Sequence, residues 1–591
     1  MSAKSQHLKR NKPQINFPTN EERRKTYNNL TPLKSEGRKK LNEFITFDIE
    51  TNNWKEFVIG GIYDGKIFRY FETIEGLCNA LSEYENTKIF AHFGGIFDFL
   101  FLLNYWGARD IISSDLILRG SSIFSFTIGT NVFYDSSGIL PFSLDKAAKA
   151  FNVSHQKLEI DHSIKKVIND DLIKYLKHDC VALYEIIEAF YNNPILSGAN
   201  FKPTLASQSL EVLRKYLPQE IPSLNNKTHD AFVRKAYAGG RVEIFRPVYD
   251  NNKNPLYYYD FSSLYPSCMR EMSVPGRVKK STRDISPMSF IECEVETPRD
   301  CYLPVLWKKT KNKFLFPTGK FTGVFPGIEL IEAIKQGYKI NKVYSGLEFE
   351  DLGPLFRDYI DDLYETKSNA TDPVQKQIAK LLLNAGYGRL SIKRERETLC
   401  IDDGTEGVTP LDIFIGEYRL GKKDTYFKGF SNAAIGAMVT AHARLKLFRA
   451  MLPISDSIYY CDTDSIVTTR KLDHSDTLGN LKLEGQTNQA CFLLPKTYIY
   501  GNEVKMKGFP KEFAQSLNFQ DFKTAMEGDL KLMRTAMPGK LARIKSAKKN
   551  NGSILKVMND SVRQLRSTYN KRILYIDNGT WNSRPIDVKQ I

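Results

Sequence analysis

The stretch Ile458-Tyr459-Tyr460-Cys461-Asp462-Thr463-Asp464-Ser465-Ile466-Val467 constrains this chain more than any other. Two β-prone apolar runs flank Asp-Thr-Asp, which is turn chemistry, so the spacing predicts strand, tight turn, strand. Side chains alternate along extended chain, which lets Asp462 and Asp464 point the same way. Two carboxylates at a hairpin tip repel and raise each other's pKa. A divalent cation removes that conflict, and Mg²⁺ favours carboxylate and phosphate oxygens. A lone Asp-x-Asp is more often a solvated acidic turn. A second acid upstream changes the balance. Leu256 to Phe261 reads as a buried strand with Asp260 at its end. Ser262 and Ser263 start a turn, and Pro266 is expected to stop any regular element. Brought beside Asp464, Asp260 would complete a site for two cations ~3.5–4 Å apart, which activates an attacking oxygen in phosphoryl transfer.

Composition narrows the rest. A chain of 591 residues should hold several domains. Its charge of +16 and pI near 9.1 favour a polyanionic partner, read here as a basic groove beside acidic sites. The eight cysteines are scattered with no C-x-x-C, which argues against a disulfide framework or zinc site and suits a reducing compartment. No run reaches the ~18 apolar residues of a membrane span, and no signal-peptide pattern is present. Residues 1–40 carry Lys9, Arg10, Lys12, Arg23, Arg24, Lys25, Arg38, Lys39 and Lys40, broken by Pro13, Pro18 and Pro32. They read as a flexible basic arm or an inert tail.

A second set of acids lies in the N-terminal third. Phe44 to Thr51 alternates as a strand, with Asp48 and Glu50 on one face. In Ile89 to Phe99, the pair Gly94-Gly95 breaks a strand and Asp98 opens a helix. From Asp171 to Phe190, Leu172, Leu176, Leu183 and Phe190 form a helical apolar stripe. Asp179 falls within that stripe, where an acid is costly without a partner. Tyr175 lies one turn earlier on the same face. Each acid alone reads as a boundary residue; Asp48, Glu50, Asp98 and Asp179 together could converge on metal.

Motif order carries a resemblance. D-x-x-S-L-Y-P at Asp260 to Pro266, then Y-x-D-T-D-S at Tyr460 to Ser465, resembles motifs A and C of family B DNA polymerases. Between them, Asp372-Pro373 starts a helix through Lys376, Lys380, Asn384, Ala385, Tyr387 and Gly388. It resembles motif B, with Ala385 where Ser is usual. The four N-terminal acids and Tyr175 resemble the Exo I, II and III motifs of proofreading 3′–5′ exonucleases. Phe93 stands where that family carries an Asn that holds the frayed primer end, and Asp135-Ser136-Ser137 stands at an imperfect Ser-Leu position. Tyr237-Ala238-Gly239-Gly240 resembles the Y-x-G-G segment that grips template. Lys496-Thr497-Tyr498 resembles the K-x-Y motif near the primer end, with Lys505 and Lys507 beyond it.

The resemblance implies an α/β and α+β multidomain fold. An RNase H-like 3′–5′ exonuclease domain would precede the palm, fingers and thumb of a right-hand polymerase with two insertions. The boundaries expected are 1–40 arm, 41–195 exonuclease, 196–271 palm, 272–354 first insertion, 355–391 fingers, 392–425 second insertion, 426–524 palm, and 525–591 thumb. The thumb carries Lys540, Arg543, Lys545, Lys548, Lys549, Arg563, Arg566, Lys571 and Arg572 for duplex phosphates. Asp260, Asp464 and the Phe261 backbone would hold two Mg²⁺ ions, with Asp462 in support. Asp48, Glu50 and Asp179 would hold two more, with Asp98 catalytic and Tyr175 orienting water. Mn²⁺ could substitute. Phe261, Ser263, Leu264, Tyr265, Lys376, Lys380, Asn384 and Tyr387 would bind the nucleotide, with Tyr265 excluding a 2′-hydroxyl. Tyr237, Gly239, Gly240, Gly388, Lys496, Tyr498, Lys505 and Lys507 would bind DNA.

Compact size and the two insertions resemble the protein-primed branch, which serves phages, adenoviruses and linear plasmids. That branch implies processive, strand-displacing replication, DNA and deoxynucleoside triphosphates as partners, and a terminal protein that accepts the first nucleotide. A monomer, or a heterodimer with the terminal protein, in the cytoplasm of a bacterial host is expected. The alternatives are a family B polymerase using ordinary primers, and a nuclease whose polymerase-like half only holds DNA.

Overall fold

The computed structural model describes residues 29–591 apart from 34–40, 42, 54–55, 108–115, 120–121, 159–163, 312, 403, 416–417, 508, 510, 529–530 and 537–559. Most of the expected basic arm and Lys540, Arg543, Lys545, Lys548 and Lys549 therefore lie outside the described residues. Residues 29–33 of that arm are tied down. Asn29–Leu30 pairs with Ile221–Pro222, and the Arg214 guanidinium donates to the Thr31 carbonyl at 2.8 Å.

The N-terminal region is a seven-stranded sheet, in the order Phe68–Phe71, Glu56–Tyr63, Phe44–Asn52, Lys88–Ala91, Asn131–Asp135, Ser122–Ile128, Ile117–Arg119. Strand β1 (Phe44–Asn52) is central, antiparallel to Glu56–Tyr63 and parallel to Lys88–Ala91. Both its faces are covered, so it is buried almost throughout rather than alternating. Phe47, Phe99, Phe126 and Phe133 pack together here. Helix α1 (Asp98–Gly107) follows a 3₁₀ turn, Gly94–Ile96. Helix α2 (Asp170–Tyr191) starts where Asn169 accepts from the Leu172 amide at 2.9 Å, with two acids in its first turn where the helix dipole favours them. Its expected apolar stripe is buried, and so is Asp179 within it.

The second region is organised by a five-stranded sheet, Val242–Ile244, β3 (Ile458–Asp462), β4 (Ser465–Thr468), β2 (Leu256–Phe261), Leu481–Thr487. Helices α3 (Pro373–Leu390) and α4 (Ala433–Met451) have Asp372 and Asn432 as N-caps, with Pro373 in the first turn. Helix α4 is buried around almost its whole circumference, which explains why it carries so little polar periodicity. Pro266 does not end regular structure as expected: Leu264–Glu271 is a helix, and Pro266 sits in its first turn, where no intrahelical N–H bond is lost.

Residues 272–354 contain a sheet in the order Pro275–Ser281, Lys339–Asp351, Ser289–Glu296, Lys320–Pro326. Lys339–Asp351 is a thirteen-residue strand, its polar residues held extended by long ladders on both flanking strands. Residues 392–425 hold a three-stranded sheet, Glu395–Ile401, Tyr418–Tyr426, Val408–Ile415. Its Ile401, Leu411 and Leu420 join the N-terminal core, so this sheet bridges the two acidic regions. A four-stranded sheet (Val248–Asp250, Gln489–Leu494, Thr497–Tyr500, Glu503–Met506) is followed by two antiparallel strand pairs, Lys531–Ala536 with Asp560–Leu565 and Arg572–Asp577 with Thr580–Pro585.

Candidate active site

The polymerase-type centre is built where β2, β3 and β4 meet. Asp260 pairs with Ser465 across the ladder, and the Phe261 amide donates to the Asp464 carbonyl at 2.7 Å. The strand end carrying Asp260 is thus held against the turn carrying Asp464. Thr463 takes the left-handed conformation, φ 62°, and donates its amide to the Arg241 carbonyl at 2.7 Å. Gly240 lies so close that a Cβ there would meet Thr463 at 2.7 Å, which gives the second glycine of the 237–240 segment a steric reason. Burial pushes the Asp260 carboxyl up to about 7, with Asp464 the next largest cause. Asp464 is raised too, by burial first. Two acids that resist ionisation side by side are a donor set suited to a hard cation.

Asp462 faces other partners. The Tyr460 hydroxyl donates to its Oδ2 at 3.0 Å and Lys496 donates to its Oδ1 at 2.9 Å. The Lys496 amide in turn donates to the Tyr460 hydroxyl at 3.1 Å. Lys496 therefore lands on the Asp462–Asp464 turn itself. Lys505 lies over the rings of Tyr258 and Tyr498, and the Lys507 amide donates to the Lys496 carbonyl. Tyr258, Tyr498 and Lys505 line a cavity of about 890 Å³ that reaches Asp260, with Glu484 on its wall.

After Asp260, Ser263 is left-handed, φ 56°, and turns the chain into the helix that presents Tyr265. The Tyr265 and Tyr387 rings stack at 4.5 Å and 18°, joining the motif A helix to α3. Lys376, Lys380, Asn384 and Gly388 lie on the exposed side of α3. Sequence reading missed Lys367 and Lys482. Lys367 donates to the Ser263 hydroxyl at 3.1 Å. Its pKa falls through burial first and then through Lys380 and Lys482, so three ammonium groups converge beside the motif A turn. No local pattern marks Lys367. Arg444, also missed, is buried in α4 and donates to the Ala238 and Gly239 carbonyls at 2.7 and 3.0 Å, with Glu329 as its ion partner. The Tyr237 carbonyl accepts from Lys309.

The second centre lies in the N-terminal region. One carboxylate oxygen each from Asp48, Glu50 and Asp179 lie within 4.8 Å of one another. Asp98 joins them electrically: burial raises it to about 8, and Glu50 and Asp135 add to the rise. Asp48 is raised by burial first, then by Asp98, Asp179 and Glu50. Oδ1 of Asp98 and of Asp179 have no hydrogen-bond partner among the described residues. Tyr175 hydrogen-bonds Asp179. Two lysines missed by sequence reading enter: Lys157 pairs with Asp179 and Lys166 with Glu50. Both come from a polar stretch without periodicity, so nothing in the sequence set them apart.

Phe93 takes φ 56°, ψ 20°, a region where an aromatic side chain is strained. Asp135 holds this turn, its carboxylate accepting from the amides of Phe93, Gly95 at 3.2 Å and Ser137 at 2.9 Å. His92 is fixed between Ser136 Oγ and the Phe142 carbonyl, both at 2.9 Å. Its Nε2 must donate to that carbonyl, so Nδ1 accepts from Ser136. Burial lowers its pKa to about 4.

With both centres in place, comparison decides the family. The family described as "DNA polymerase type B, organellar and viral" matches residues 78–170 and 161–470. The chain belongs to that family. This family B chain is 26% identical over 566 residues to a "Probable DNA polymerase" of Neurospora intermedia, covering 76% of this chain and 57% of that one. It is 27% identical over 560 residues to the "DNA-directed DNA polymerase" of Enterobacteria phage PRD1, covering 89% and 94%. Against the three fungal relatives of Neurospora, Ascobolus and Podospora it spans 47–57% of their length. The solved structure of "Phi29 DNA polymerase complexed with single-stranded DNA" superposes with TM-score 0.68 at 21% identity, covering 89% of this chain and all of that one. The fold is therefore the exonuclease-plus-right-hand-polymerase fold. Fungi as well as phages supply relatives, which does not single out the expected bacterial host. Among the described residues, no helix is long and apolar enough to cross a membrane.

Proposed function

We propose that this chain is a template-directed DNA polymerase with 3′–5′ exonuclease activity, replicating a viral or plasmid genome. The observation that carries the reading is the hydrogen-bonded approach of Asp260 to the Asp464 turn, with both carboxyls raised by burial. Two Mg²⁺ ions at Asp260, Asp464 and the Phe261 backbone, and two at Asp48, Glu50 and Asp179, fit these donor sets. When bound, such ions supply charge compensation at phosphate and activation of a hydroxyl or water. The chain's own residues do the positioning. Lys367, Lys380 and Lys482 gather the triphosphate, with Lys376 further along α3. The Ser263 and Leu264 amides face the same phosphates. Tyr265 and Tyr387 stack under the nascent pair with Asn384, and Tyr265 excludes a 2′-hydroxyl. Lys496 and Tyr498 hold the primer end, Lys505 and Lys507 its phosphates, and Tyr237, Gly239, Gly240 and Gly388 the template side. At the other centre, Tyr175 orients the attacking water beside Asp179, with Asp98 in support. The domain boundaries expected from sequence, a terminal protein as priming partner, and processive strand displacement belong to the same proposal. They are supported by the two inserted sheets.

A 5′-labelled primer–template, incubated with Mg²⁺ with and without deoxynucleotides, tests it. Extension that disappears in Asp464→Ala, with shortening when nucleotides are withheld, is expected. Shortening alone, unchanged in that variant, would leave a nuclease only.

A further inference from the structure

The acid cluster of Asp48, Glu50, Asp98 and Asp179 receives two ammonium groups, and the two are held differently. Lys157 lies on Asp179 beneath the Tyr175 ring, with its side chain 29% exposed. Lys166 lies on Glu50 with its side chain only 9% exposed. Its backbone is also fastened. The Lys166 amide donates to Asn52 Oδ1 at 2.7 Å, and Asn52 Nδ2 donates back to the Lys166 carbonyl at 3.1 Å. Asn52 is two residues beyond Glu50 on β1. One strand therefore holds both the peptide and the ammonium of Lys166. That removes much of the entropic cost that makes an ordinary lysine pair weak.

A pair serving the fold alone would leave its acids satisfied. Here Oδ1 of Asp98 and Oδ1 of Asp179 are buried without a partner among the described residues. The oxygens of Asp48, Glu50 and Asp179 converge as ligands of one hard cation would. An ammonium already stands on Glu50, one of those three. At the polymerase centre the arrangement is different. There the ion-paired lysine, Lys496, stands on Asp462, and the described residues place no ion pair on Asp260 or Asp464.

We propose that Lys166 is a resident competitor for divalent metal at Glu50. Metal entering the exonuclease centre must displace or share that ammonium, so this centre fills at higher metal concentration than the polymerase centre. At low divalent metal the chain synthesises more than it degrades. The inference rests on reading this cluster as a metal centre.

The test uses the full chain carrying Asp260→Asn and Asp464→Asn, so that Mn²⁺ binding followed by electron paramagnetic resonance reports the exonuclease centre. Adding Lys166→Met should tighten Mn²⁺ by about ten- to a hundredfold, the scale of removing one adjacent charge, while Lys166→Arg should leave it weak. Unchanged Mn²⁺ affinity in Lys166→Met overturns the proposal. If Asp48→Ala with Glu50→Ala leaves Mn²⁺ binding intact, the metal-centre reading itself fails, whatever Lys166 does. Primer extension by Lys166→Met in the otherwise natural chain reports folding. Should that variant fail to extend, Lys166→Gln replaces it in the same titration: tighter Mn²⁺ binding supports the competitor role, and unchanged binding overturns it.

Discussion

The chain builds two acidic centres by opposite routes. The exonuclease-type centre is buried among helix and sheet of one region, and its lysines come from one short stretch, at 157 and 166. The polymerase-type centre sits at the strand ends in the middle of a five-stranded sheet, and its acids come from β2 and from the β3–β4 turn. Its lysines arrive from α3, from the helix Arg357–Asn369 and from the strand Leu481–Thr487. Burial raises proton affinity in both, at Asp98 as at Asp260. The enclosed site sets its own lysines on Asp179 and Glu50, whereas among the described residues no ion pair falls on Asp260 or Asp464, whose charge is left to be balanced by what the site binds.

That comparison breaks most sharply if the centres are not independent. Asp464→Ala should lower primer extension by about 10³-fold or more and leave degradation of single-stranded DNA unchanged, as a gel assay of both reactions would show. Asp48→Ala with Glu50→Ala should do the reverse by a similar factor. Cross-loss in either direction would mean that the two regions share more than the sheet Ile401, Leu411 and Leu420 anchor. Tyr265→Val should cost about 10–100-fold in discrimination against ribonucleotides, the scale of a small steric difference in a pocket. Single-nucleotide insertion kinetics with matched sugars would measure it.

Smaller effects concern stability. Asp98 holds its proton more tightly folded than unfolded, so its contribution is fully present below about pH 4 and is lost as pH rises through about 8. Metal-free protein should therefore lose thermal stability between those limits. Asp98→Asn should flatten that slope, and an equally steep melting profile in the variant would assign it to another acid. Smallest is Phe93→Gly, which relieves a left-handed aromatic residue and should stabilise by up to about 1 kcal/mol in denaturant unfolding.

Much of both centres was legible because acids that must converge need fixed secondary structure, and that structure has a period. Asp179 stood out as an acid in an apolar stripe, and Asp462 and Asp464 as acids between two β-prone runs. Pro266 misled because a proline in a first turn and a proline that ends an element have the same local sequence. The thirteen-residue strand Lys339–Asp351 carries little pattern of its own because its neighbours, not its own residues, keep it extended. Lys166, Lys367 and Arg444 carried no signal at all. Each acts on a group far away in sequence, and a single basic residue in a polar stretch has no pattern of its own.

The sequence by itself determined which acids exist, which of them share a strand face or a helix turn, and the order of motifs that places the chain in its family. Those properties are local, set by the two-residue and 3.6-residue repeats of strand and helix. Tertiary structure alone decided which cations meet which acids. Lys496 was given to Asp462, Lys166 to Glu50, and three lysines to the turn after Asp260, because charge pairing depends on distances of a few ångströms between segments that folding, not sequence spacing, brings together.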